Sequence, residues 1–119
     1  MGIFIGIFLI AMGATLSWAA EATATGRVGM NSSIGIRVGY VTHSPEAWLE
    51  GHRAARTLIH CNAAVLVVAG VVALFPAFAD IASWIAIAAS LICLGLMLPT
   101  VKRANQAAER VALSTGHDS

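Results

Sequence analysis

Most side chains able to do chemistry in this 119-residue chain fall in one stretch, residues 21–57, and just after it. His52, Arg56 and His60 follow one another at i+4 and so form a line along a helix. As chemistry, such a line is a titratable or anion-binding edge. As structure, Arg56 and His60 read as cations snorkelling at a helix end, which the sequence favours for those two. His43, Glu46 and His52 are metal-ligand types, but no H-x-x-x-H or H-E-x-x-H spacing joins them, and no metal is expected. Gly29, Gly35 and Gly39 suggest a phosphate-cradling loop, yet G-x-x-x-x-G-K-[ST] is missing. No Ser/His/Asp or Cys/His set is brought together by spacing, so the sequence predicts neither an enzyme nor a cofactor.

The elements that hold these residues are helical. Ser44 is a good N-cap, Pro45 suits the first helical position, and Glu46 complements the positive end of the helix dipole. The pattern predicts a helix over residues 45–57 that no proline separates from the apolar residues beyond; Gly51 is a candidate bend. Trp48, His52, Ala55 and Ile59 share one face, with Glu46, Glu50 and Arg53 on a more polar side. Trp48 suits the lipid headgroup level, so a short amphipathic helix lying on the membrane surface is expected. The preceding residues, 26–40, are rich in Gly and Ser and carry no regular period.

Three apolar runs flank this segment. They cover residues 1–20, 58–79 and 81–98, the last closed by Pro99 and Thr100 and reaching the interface near Val101. A helix needs about 20 residues to cross a hydrocarbon core of roughly 30 Å. Phe75-Pro76-Ala77-Phe78-Ala79-Asp80 reads as a tight helical hairpin between the second and third runs. The composition agrees: 58% hydrophobic, 11% charged, net charge +1, mean hydropathy +0.80. Such a chain has no basic surface for direct nucleic-acid binding and too few charges for a disordered tail. The expected fold is an all-α membrane protein, a single domain of three transmembrane helices with a motif loop at residues 21–57 and a tail at 102–119. The first run has small residues near a plausible cleavage site, Ser17-Trp18-Ala19-Ala20, but no cation ahead of it and more length than a signal-peptide core, so a retained helix is expected.

All seven Lys and Arg fall on two segments, Arg27, Arg37, Arg53 and Arg56 in the loop and Lys102, Arg103 and Arg110 in the tail. With three spans these lie on one side, and the positive-inside rule makes that side cytoplasmic and the N-terminus external. Small residues recur at i+4 in each run: Gly2 and Gly6, then Ala11, Thr15 and Ala19; Ala69, Ala73 and Ala77; Ala82, Ala86 and Ser90. They fit either packing within the bundle or an interface with a partner. With a turn near Asp80, Cys61 would stand about five residues, or roughly 7 Å, from the level of Cys93, so both read as packed apolar thiols rather than a disulfide.

The motif itself, Asn31-Ser32-Ser33-Ile34-Gly35-Ile36-Arg37, then Ser44-Pro45-Glu46-Ala47-Trp48, then His52-Arg53-Ala54-Ala55, resembles the signature of the SdpI family of bacterial integral membrane proteins. The family's threonines are replaced by Val38 and Val41, and the additional membrane region of longer members is missing. The resemblance implies a short, three-helix protein of the bacterial inner membrane that gives immunity to a secreted toxic peptide, and signalling through a cytoplasmic regulator held at the membrane. Asn31, Gly35, Arg37, Ser44, Trp48, His52 and Arg53 are the motif residues it carries over. Physically, they make either a ligand site or a structural clasp, and at this stage both stand. A clasp would fold Gly35–Arg37 back onto the helix that starts at Ser44, with Arg37 near Glu46, Glu50, His52 or backbone carbonyls. The expected partners are the lipid bilayer and a toxic peptide, a cytoplasmic regulator or a larger membrane complex. In the last case the chain is a small accessory subunit. A third possibility, an enzyme or transporter acting through Arg37 and His52, needs a closed polar pocket around them.

Overall fold

The computed structural model describes residues 2–29, 34–37 and 39–117, with side chains as far as residue 114. Asn31, Ser32, Ser33 and Val38 fall outside the described residues. Three long helices make up the chain: α1, Gly2–Ala24; α2, Pro45–Leu74; and α3, Ala82–His117. Each is long and apolar enough to cross a membrane, and among the described residues there is no strand. The protein is therefore a multi-pass, all-helical membrane protein.

α1 runs antiparallel to α2 at very close range. A Cβ on Gly6 would stand 2.7 Å from the Gly70 carbonyl oxygen, and one on Gly13 2.8 Å from that of Ala63. With no hydrophobic drive between helices in lipid, such glycine contacts let the backbones meet. The packed stripe on α1 is Gly2, Gly6, Leu9 and Gly13. Ala11 and Thr15, expected in the stripe, are exposed, because the larger gain in close approach comes from the glycine face. Ala73 and Ala82 of the other two stripes are buried, while Ala77 and Ser90 face outward.

The turn between α2 and α3 is a 3-10 segment, Pro76–Ile81. Pro76 stops α2 at Leu74 by forcing Phe75 into an extended conformation, φ −70° and ψ 130°. α3 then returns along α2, with Cys93 Sγ 3.7 Å from the Asn62 carbonyl. Cys61, next to Asn62, is thus nearly level with Cys93. The thiols are kept apart by the faces they occupy rather than by height, and Cys61 is exposed rather than packed.

Two expectations about helix ends are corrected. Pro99 does not close the third helix, which runs through it to His117. Beyond it, Ala104 and Ala108 are buried in the core shared with α2, and that packing carries the helix past the proline. Nor is the amphipathic stretch a separate helix on the membrane surface. It forms the first turns of α2, and its inner face of Ala47, Trp48, Gly51 and Ala55 is covered by Val41 and by Ala104 and Ala108 of α3. No apolar face remains there to lie on lipid. At 1.5 Å per residue α3 is about 54 Å long against a core of roughly 30 Å. The charge-bearing ends of α2 and α3 pack together at Gly51 and Ala104 as a short stalk.

Candidate functional site

The loop after α1 is seated on this stalk by contacts from three sides. At its start Val28 N–H donates to the Ala22 carbonyl at 2.9 Å, and the Trp48 indole N–H donates to the Val28 carbonyl at 3.2 Å. In its middle, Ile36 N–H donates to His52 Nε2 at 2.8 Å. At its end Tyr40 N–H donates to Asn105 Oδ1 of α3 at 2.8 Å, and Val41, fully buried, lies beside Gly51 where α2 meets Ala104 of α3. Ser44 then caps α2, its Oγ accepting from Ala47 N–H at 3.1 Å, with Pro45 in the first turn.

His52 is the centre of this arrangement. It is 1% exposed, and its ring lies 4.3 Å from the Trp48 ring, tilted by 42°. A backbone N–H can only donate, so Nε2 must accept from Ile36. A carbonyl can only accept, so Nδ1 carries the proton and donates to Trp48 O at 2.7 Å. The two bonds together fix one neutral tautomer. Gly35 is required beside it: φ is +108°, and a Cβ would stand 2.7 Å from Trp48 Cη2 and 2.8 Å from His52 Nε2. Trp48 is 2% exposed, its ring covered by the loop.

The other motif residues are placed differently. Arg37 is exposed and edges a half-enclosed cavity of about 270 Å³, whose walls include Leu16 and Thr23 of α1, Ile36, His52 and Met97 of α3. Arg53 points away from the loop and pairs with Glu50 at 3.1 Å. Asn31 lies outside the described residues. His43 and Glu46 are exposed, and among the described residues no three His, Cys, Asp or Glu side chains gather in a metal-holding group.

A second polar group lies between α1 and α2. Glu21 accepts from Arg56 at 2.7 Å and 2.5 Å, a two-pronged pair, and lies 2.6 Å from His60 Nε2. His60 Nδ1 in turn lies 2.7 Å from Ser17 Oγ. The expected line of His52, Arg56 and His60 is therefore split. The first faces the loop and the other two face α1, since each i+4 step turns about 40° around the helix. Snorkelling was the expectation for Arg56 and His60, and the acidic partner was missed. The signal was available: Glu21 ends the first apolar run and Arg56 and His60 begin the second, so an antiparallel pair sets them side by side. Asn105 of α3 was also missed, because nothing in the sequence ties it to the loop.

Comparison with known proteins bears on the motif directly. The model of the SdpI/YfhL protein family matches residues 27–103. The chain belongs to this family. No curated protein matches it, and no solved structure does. The family segment takes in the seated loop, the whole of α2 and α3 as far as Arg103. Val41, expected to stand where the family has threonine, packs beside Gly51: a Cβ there would stand 3.2 Å from Val41 Cγ2.

Proposed function

We propose that this SdpI/YfhL protein is a binding protein of the immunity and signalling type, protecting the bacterial inner membrane it spans against a membrane-active toxic peptide. It acts by binding rather than by catalysis. The loop and C-terminus face the cytoplasm and the N-terminus faces outward, as the distribution of its cations suggests. One observation carries the proposal. Gly35, Ser44, Trp48 and His52 belong to a clasp that holds the loop on the stalk, while Arg37 of the same motif stays exposed beside an apolar cavity. A guanidinium next to a backbone held at Ile36 is suited to recognition, because less ordering remains to be done there on binding.

The test is survival. Cells sensitive to the secreted toxic peptide of the family's founding system, expressing this chain at a verified level, should outgrow cells carrying empty vector under challenge. Trp48→Ala and His52→Ala should remove that advantage. Equal killing of both cultures, with the chain abundant in the membrane, would show that protection is not its role. A stoichiometric large partner recovered in mild detergent from those same non-protected cells would favour an accessory subunit.

A further inference from the structure

α1 and α3 each pack along α2 and scarcely touch each other. Near the loop, the space between them is the cavity of about 270 Å³ beneath Gly35, Ile36 and Arg37. Its walls are aliphatic apart from the loop edge, the His52 ring and Thr23, whose hydroxyl is taken up by the Ala19 carbonyl at 2.7 Å. Met97 and Val101 form its α3 side and are shared with a neighbouring hollow lined by Lys102 and Asn105. Two cations, Arg37 and Lys102, thus border one apolar cleft. Among the described residues lining either hollow there is no carboxylate. Glu21, the nearby acid on α1, faces the other way toward Arg56 and His60.

We propose that this cleft takes one acyl chain of an anionic phospholipid of the surrounding bilayer, with the lipid phosphate met by Arg37 and drawn by the field of Lys102. An acyl chain has the chemistry of the walls and is already at hand in the membrane. A phosphate suits a guanidinium, which offers it two parallel N–H donors. Basic hollows between membrane helices at headgroup depth hold anionic lipids for the same reason. The cleft could not serve a small soluble anion equally well, because most of its surface would then be wetted without a polar partner. The inference shares with the proposed function only the reading of Arg37 as a ligand contact, and holds or fails without any toxin.

The experiment uses the full chain in nanodiscs of equal parts phosphatidylglycerol and phosphatidylcholine, released into the gas phase for native mass spectrometry. One phosphatidylglycerol per chain should be retained, at about tenfold preference over phosphatidylcholine. Arg37→Gln with Lys102→Gln should remove the preference. Ala19→Leu, which narrows the cleft from α1, should lower retention of both lipids while helical content stays unchanged. Phosphatidylglycerol carrying a photoreactive group mid-chain should label Leu16 or Ile59 of the unmodified protein rather than the outward Leu91 and Leu94. Equal retention of the two lipids, a preference that survives loss of both cations, or labelling confined to the outward leucines would each overturn the proposal. So would displacement of the lipid by glycerol phosphate at equal concentration, since the headgroup alone would then account for binding.

Discussion

Replacing His52 by alanine tests the clasp at its centre. The ring supplies the acceptor for Ile36 N–H at 2.8 Å and packs on Trp48 at 4.3 Å. Leaving a half-buried N–H without its acceptor costs about 1–3 kcal/mol. Removing the ring opens a hole against Trp48 worth about another 2 kcal/mol, at the low end of large-to-small core changes. Water can reach part of this space from the adjoining cavity and recovers some of the first term, so a net loss of about 3 kcal/mol is expected. The loss falls on the seating of the loop, since α2 keeps its own backbone ladder. The assay is amide hydrogen exchange in detergent micelles. At Ile36, exchange should quicken by roughly 10²-fold, while amides in the middle of α2 change little. His52→Gln, whose carbonyl oxygen can stand near the position of Nε2, should recover part of the protection. If the Ile36 amide exchanged as slowly in His52→Ala as in the parent, the histidine would not be what holds the loop, and the clasp would be wrong.

Other outcomes test the remaining geometry. Glu21→Gln should lower resistance to denaturing detergent, and should do so much less in an Arg56→Ala background; equal effects in the two backgrounds would mean that the pair contributes nothing. Tags inserted between Ser32 and Ser33 and after Ser119 should both report from the cytoplasm, and one ahead of Met1 from outside. Opposite faces for the first two would refute the three-span arrangement.

The broad fold was legible because membrane helices must satisfy their own backbone and therefore announce themselves as long apolar runs. The start of α2 was legible as well, since Ser44 and Pro45 act locally, through a cap and a fixed φ. The helix ends that failed were set by tertiary partners. Pro99 looks like a terminator in one dimension, but the helix beyond it is held by Ala104 and Ala108 packed beside α2. The surface helix failed for the same reason, because its apolar face found protein rather than lipid. The level of the cysteines failed through the hairpin: α2 ends at Leu74 and α3 starts at Ala82, which moves the turn and with it the register.

The motif shows what spacing can and cannot say. Trp48 and His52 lie one turn apart on α2, and that interval alone puts them on one face. Gly35 follows from the same pair, for only a residue without Cβ fits within 3 Å of both rings. Arg37, two residues on, is exposed at the rim of the cavity. The proposed function sets a clasp at Gly35 and a ligand contact at Arg37 within three residues of one motif. On that proposal the bland and the functional readings are not rivals for the whole motif. On the proposed function, the bonds of Trp48 to Val28 and of His52 to Ile36 serve the arginine indirectly: a guanidinium on a backbone already seated costs a ligand less ordering than one on a loose loop.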